Sequence, residues 1–218
     1  MTTTIRPLTI FDYDRLKIAM MESYSTIGSP YWRKERLLRL LQLFPEGQLC
    51  ADIGGQVVGC ALSIIVNSEQ VYRPHTYEAV TDKYTFNTHD PAGDVLYGIE
   101  VFVDPAYRGI GLGRRLYNAR KDCCKRLNLR SMVAGGRIPN YHLYADQMTP
   151  QEYVDQVTRN ALYDPTLSFQ LANGFRVERI LPHYLKGDHE SCEFATLLTW
   201  EAQSEDPVLP FTKTSLPL

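Results

Sequence analysis

Two features of this 218-residue chain carry chemistry: a glycine-rich turn crowded with arginines, and an acid inside an apolar run. The turn reads Arg108-Gly109-Ile110-Gly111-Leu112-Gly113-Arg114-Arg115. Glycines at 109, 111 and 113 remove side chains that would block approach to the main chain. The freed amides and the positive end of a following helix then suit a phosphorylated ligand. The acid is Glu100, within Leu96–Val103, LYGIEVFV. A carboxylate desolvated there has a raised pKa, as a general base or the holder of a relay water needs. Structural pairing with an arginine is the competing reading. Strand alternation gives Glu100 the same face as Phe102 and not that of Val103.

Known phosphate loops fit the turn poorly. The dinucleotide fingerprint needs G-x-G-x-x-G with an acid about 20 residues on. Here the next apolar run, Leu129–Ala134, has no acid, and the turn lacks the Gly-Lys-Ser/Thr ending of a P-loop.

The elements around these residues are legible. Leu96–Val103 reads as a buried strand that stops at Asp104-Pro105. Leu112, Leu116, Ala119, Cys123 and Leu127 recur at helical spacing after the turn. Upstream, Ile5–Leu8 reads as a short strand. Thr9 with Asp12 forms a capping box for a helix through Ser23, and Ser29-Pro30 starts a second helix. Leu37, Leu40, Leu41 and Phe44 give that helix its buried face, and Pro45 and Gly47 end it. Leu49–Ile53, Gly54-Gly55 and Gln56–Ile65 read as a hairpin. Downstream, Thr149-Pro150-Gln151-Glu152 is a capping box for a helix to about Arg159. Asp164-Pro165 caps another that stops at Asn173-Gly174, and Phe194–Trp200 is the last strand. Irregular insertions are expected at about 67–94 and 136–160, and a polar tail at 201–218.

Bulk properties exclude several classes. Net charge is −2 and pI about 6.2, so no global attraction to nucleic acid or membrane is expected. Charge is local instead: residues 108–130 hold eight Arg or Lys against one acid, Asp122. The five cysteines contain no C-x-x-C pair, which argues against a structural metal site or disulfide framework. No apolar run approaches the roughly 18 residues of a membrane span, and the reading is cytoplasmic.

The turn resembles the acyl-CoA loop of the GNAT superfamily of N-acyltransferases. Arg108, Gly111 and Gly113 fill its Arg/Gln-x-x-Gly-x-Gly/Ala pattern, and Val103 and Pro105 fill its V-x-P lead-in. The two opening helices, the hairpin and Gly174-Phe175 follow the family order over about residues 3–200. AGGRIPNYH, MTPQEYV, DPTLSFQLANGF and TLLTW look like one branch, the acetyltransferase-like domain fused ahead of a carbon–nitrogen hydrolase in some bacterial proteins.

The resemblance implies an α/β (α+β) GNAT fold over residues 1–200. Its mixed sheet of about seven strands splays between the fourth and fifth and is flanked by helices. It implies acetyl-CoA as co-substrate, no metal, and transfer to a primary amine by direct attack in a ternary complex. The acceptor is a small-molecule amine or a protein or peptide amine. Phe102, Val103, Arg108, Gly109, Ile110, Gly111, Leu112, Gly113 and Arg114 would hold the cofactor. Glu100 is the first candidate base, and His142 and Tyr144 follow the splaying strand and could reach the acceptor. Arg137 could face an anionic group of the acceptor. The family's thiolate acid is a tyrosine four residues before the Gly-Phe glycine, where this chain has Gln170. Glutamine cannot release a proton at neutral pH, so Tyr141, Tyr144 and Tyr163 are alternatives. The same departure supports a different class of function, a non-catalytic acyl-CoA-binding regulatory or docking module working with a hydrolase. A homodimer is left open.

Overall fold

The computed structural model describes residues 2–24 and 31–202. Its spine is β4 (Val95–Val103), buried along most of its length. Antiparallel β3 (Gln56–Val66) lies on one side and parallel β5 (Ser131–Arg137) on the other. With β1 (Thr3–Pro7), β2 (Leu49–Ile53), β6 (Arg176–Leu181) and β7 (Ala195–Glu201), they form a seven-stranded sheet in the order β1-β2-β3-β4-β5-β7-β6. The expected mixed, helix-flanked seven-stranded architecture is therefore present. Gly54 and Gly55, at φ +61° and +89°, make the two-residue turn of the β2–β3 hairpin, a geometry that demands positive φ at both positions.

Helices cover both faces. On one, α1 (Tyr13–Ser23) and α2 (Lys34–Leu43) bury Leu16, Met20, Leu37 and Leu40 against Cys60, Leu62 and Phe102. Each such aliphatic side chain contributes roughly 1.5–3 kcal/mol. On the other, α5 (Leu112–Arg126) packs Leu112 and Leu116 on Ala51, Val58, Ala61 and Val103. Beside it lie α6 (Pro150–Thr158) and α7 (Leu167–Ala172), which join a second apolar cluster with Tyr117, Met132 and Leu198. The 67–94 segment contains two short helices, α3 (Ser68–Val71) and α4 (Tyr77–Val80). It is anchored by buried Val71, Tyr77, Val80 and Phe86.

Three boundaries differ from the sequence reading. Thr9 and Asp12 do make the expected capping bonds at 2.8 Å, but the turn they cap is a short 3-10 helix (Ile10–Asp12), and α1 begins at Tyr13. The Ser29-Pro30 cap lies outside the described residues, and α2 starts only at Lys34. The strand expected at Leu129–Ala134 runs instead from Ser131 to Arg137. Asn128, left-handed at φ +53°, turns the chain after α5, and β7 pairs with β5 through Gly135, Gly136 and Arg137. Arg137 is thus a strand residue, and the second insertion begins after it.

What positions the site is a seam in the sheet. Pairing between β4 and β5 stops at Gly98 and Ala134. At the same level the β3–β4 register shifts between Leu62 and Ser63, which leaves Ile99 as an extra residue in β4. A bulge of this kind bends its strand and increases local twist. Beyond it, β4 and β5 part.

Candidate functional site

The seam opens into a cavity of about 680 Å³. Its walls include Gly98 to Val101 of β4 and Ala134 to Arg137 of β5. Tyr117 and Arg120 of α5, Gln170 of α7, Arg36 of α2, Tyr24 just after α1 and Trp32 just before α2 also line it. Three bare positions make room. A Cβ on Gly98 would come within 2.7 Å of Arg120 Nη1. One on Gly135 would overlap the Tyr184 ring, and one on Gly136 would overlap Gln170 and Leu198.

Glu100 faces this cavity, and its carboxylate accepts from Tyr24 Oη and, at 3.0 Å, from the Val101 amide. Burial raises its pKa, opposed by these two bonds and by the charges of Arg120 and Arg137. Tyr24 also meets Phe102 edge-on at 5.7 Å, so Glu100 and Phe102 do share the α1 face, while Val103 packs on the α5 side.

Backbone direction follows from the ladder. The Asp104 amide donates to Val58 O at 2.8 Å. Antiparallel ladders alternate, so the Phe102 amide points at β3, and the Val101 and Val103 amides point into the gap. Of Phe102 and Val103, Val103 is thereby the one whose amide is offered to a ligand in the gap.

Arg120 is almost fully buried. Its Nη2 donates to the carbonyls of Leu62, at 2.9 Å, and Glu100, tying both sides of the bulge together. Its Nε has no partner, and neither has Gln170 Oε1, so a buried donor and a buried acceptor lie unmatched behind the cavity wall. Gln170 Nε2 donates to Tyr117 Oη at 3.4 Å. Among the described residues the Tyr117 hydroxyl hydrogen has no acceptor.

The glycine turn joins the end of β4 to the start of α5. Gly109 and Gly111 are left-handed, at φ +81° and +83°, and a Cβ on either would meet open space. Gly111 is the N-cap of the 15-residue α5, with no side chain capping it. Arg108 folds back, its Nε donating to Val103 O at 3.0 Å, and Ile110 is exposed. Gly113 has a different reason to be bare: a Cβ there would press on the Phe169 ring at 2.8 Å. Leu112 is buried and anchors the helix start, and Arg114 is exposed.

Other nominated residues stand elsewhere. His142 is exposed, with Nδ1 near the carbonyls of Pro139 and Glu190, and Tyr144 packs on Tyr153 at 5.5 Å. Neither lines the cavity. Tyr141 bonds Met148 O, and Tyr163 is exposed. Arg137 does line the cavity but is held by Asp188 and Glu190. Tyr24, Tyr117 and Arg120 were missed. The only signal for them was position: Tyr117 and Arg120 share the α5 face that carries Gly113.

Residues 17–147 match the description of the acetyltransferase (GNAT) family. The chain belongs to that family. Among its relatives is an uncharacterized N-acetyltransferase, YkwB of Bacillus subtilis (strain 168). It is 34% identical over 201 residues, which are 91% of this chain and 88% of YkwB. The probable hydrolase YhcX of the same organism is 50% identical over 173 residues, 79% of this chain. The match spans about a third of YhcX, 34% of its length. Among solved structures, the loading GNATL domain of CurA from Lyngbya majuscula superposes with a TM-score of 0.81 at 24% identity, covering 93% of this chain and 99% of that one. The GphF GNAT-like decarboxylase, in complex with isobutyryl-CoA, gives 0.78 at 20%, covering 92% and 100%. These two share the fold of this GNAT protein.

The family uses acyl-CoA, and the seam fits it. The open left-handed glycines and uncapped α5 amides suit a pyrophosphate. The gap between β4 and β5 leaves β4 main-chain groups without a strand partner, open to an amide-bearing arm. Among the described residues no group of three or more His, Cys, Asp or Glu could hold a metal ion, and no helix is long and apolar enough to cross a membrane.

Proposed function

We propose that this protein transfers an acetyl group from acetyl-CoA to a primary amine by direct attack within a ternary complex. The observation that carries the reading is an alignment along one strand. The open glycine turn follows the end of β4, and a few residues earlier, where β4 has parted from β5, the same strand sets the buried carboxylate Glu100 in the chamber wall. Bound acyl-CoA would supply the acyl group already activated as a thioester.

The chain's own residues do the rest. The Val103 amide, directed into the seam, offers a fixed donor to a carbonyl oxygen that gains charge. Glu100, its pKa raised by burial, takes the amine proton directly or through one water. Tyr24 holds that carboxylate in place. Gln170 cannot give up a proton, but it donates to Tyr117 Oη and leaves the phenol's hydrogen directed elsewhere. Tyr117 therefore donates to the departing sulfur. Calorimetric titration with acetyl-CoA, followed by thiol release across an amine panel, tests this. Amine-dependent release supports it, and absence of acetyl-CoA binding overturns it.

Gln170 in place of the family's tyrosine favours a second reading, acyl-CoA binding without amine acylation. GphF, described as a decarboxylase, shows the fold hosting other chemistry. The YhcX relative makes a hydrolase the partner to try with such a module. Binding with no release from any amine supports this reading.

A further inference from the structure

The walls of the chamber carry an unbalanced charge. Arg36, Arg120, Arg137 and Lys186 line it, and Glu100 is its one lining carboxylate among the described residues. Two of the four cations are accounted for. Arg137 is held by Asp188 and, at 2.9 Å, Glu190. Arg120 is bound to two carbonyls at the bulge. Lys186 is exposed at the rim.

Arg36 is different. It is half-buried, and its guanidinium lies on the Tyr84 ring with Cζ 3.8 Å from the centroid. Among the described residues it meets no carboxylate and donates no hydrogen bond. Its neighbour one turn on, Arg39, reaches Thr85 O and Asn87 Oδ1 and so ties α2 to the 67–94 segment. Arg36 touches the same segment only through the Tyr84 ring, with no hydrogen bond. Stacking on an aromatic face fixes the plane of a guanidinium while leaving its N–H fork free, and that fork matches a carboxylate bidentately. The Tyr84 ring beneath it is itself packed edge-on by Trp32 and Tyr77, and beside such ring surface a paired charge is worth more than in water.

We propose that Arg36 receives a carboxylate borne by the substrate that fills this chamber, so that the preferred acceptor is an amino acid or another carboxylate-bearing amine. The assignment rests on the transferase reading and adds no chemical step to it. A carboxylate could also enter on the acyl group, and the test separates the two sources.

Thiol release is measured with acetyl-CoA and amine pairs that differ only in the carboxylate: phenylalanine against phenethylamine, β-alanine against ethylamine. A second arm compares succinyl-CoA with butyryl-CoA on one neutral amine. A readout that needs no turnover runs beside them: calorimetric binding, in the presence of CoA, of N-acetylphenylalanine and of N-acetylphenethylamine. The carboxylated member is expected to lead by about tenfold or more. Arg36→Met should erase the lead, and Arg36→Lys should keep part of it. Acetyl-CoA affinity should stay unchanged in both variants, because Arg36 lies away from the glycine turn. A lead confined to the acyl arm and lost in Arg36→Met keeps the carboxylate receptor and moves its ligand to the acyl group. Equal turnover and equal binding of paired compounds overturn the proposal, as does a lead that survives Arg36→Met. Failure of acetyl-CoA to bind at all is the separate outcome that sinks the transferase reading.

Discussion

Glu100→Gln is the most informative single change, because the structure keeps its effect on folding small. Tyr24 Oη and the Val101 amide both donate to the same carboxylate oxygen, Oε1. A glutamine in the same rotamer keeps that acceptor, and its amide nitrogen replaces Oε2. Each bond changes from charge-assisted to neutral, a loss of about 1 kcal/mol apiece. Against this, the variant no longer desolvates a charge, and the raised pKa of Glu100 shows that burial outweighs its partners. The sign is explicit: a carboxyl with a raised folded-state pKa favours folding less as pH rises past its unfolded value. Removing it should therefore leave stability at neutral pH within about 1 kcal/mol or improve it. Rate should fall far more. Loss of a general base costs about 10²–10⁴-fold, or roughly 3–5 kcal/mol of barrier. The assay is thiol release at saturating acetyl-CoA from about pH 5 to about pH 9. Wild type should show an acid limb set by the raised Glu100 pKa, and the variant should lose it. A variant within about threefold of wild type with the same limb would refute the assignment and hand the proton to solvent.

Three further outcomes are expected. Gly111→Ala should lower stability by about 1 kcal/mol, because φ is +83° there, and weaken acetyl-CoA binding about tenfold by calorimetry. Gly54→Ala, equally left-handed but in the β2–β3 turn, should show the first effect without the second. Tyr117→Phe breaks only the 3.4 Å contact with Gln170 and should change stability by about 1 kcal/mol or less. It should lower amine-dependent turnover about tenfold while acetyl-CoA affinity holds, and a change below about twofold would remove Tyr117 from the reaction. Asp12 is held at about pKa 2, from 3.8, mainly by its hydrogen bonds from Arg6. That stabilisation is present above about pH 4 and disappears as pH falls toward about 2. After discounting for solvent screening, Asp12→Asn should cost about 1 kcal/mol in neutral denaturant melts, and the gap should close in acid.

The parts of the molecule readable from sequence were those built from local rules. Thr149 and Glu152 cap α6 as read, and Gly174 sits left-handed at φ +80° after α7. The glycine turn lies between β4 and α5 where strand, proline and amphipathic spacing placed it. The seam was less legible, because its shape depends on contacts distant in sequence. Arg120 reads as one more basic residue on a helix, yet it is inserted beneath Gly98, 22 residues earlier, to hold a bulge. The acid candidate was visible as a charge in an apolar strand. Its holder, Tyr24, could not be named without knowing that α1 crosses β4. His142 was nominated by proximity in the chain to β5, but the turn after Arg137 carries it outward to the 188–193 loop, where its amide donates to Glu190 O.

The parted strands also bear on how such a protein can change. An unpaired strand flank is ordinarily a hazard, because any extended chain can adhere to it. Here that stickiness is enclosed between α5 and the opening helices, with room for a single slender guest. On the proposed reading, the grip on that guest comes from peptide groups, which a change of side chain other than to proline leaves in place. The opposite end of the chamber is made of side chains from α1, α2 and the 67–94 segment, each replaceable one at a time. Under the proposed function, a lineage can therefore retarget the molecule to new acceptors by rewriting that end while the donor's seat stays as it is.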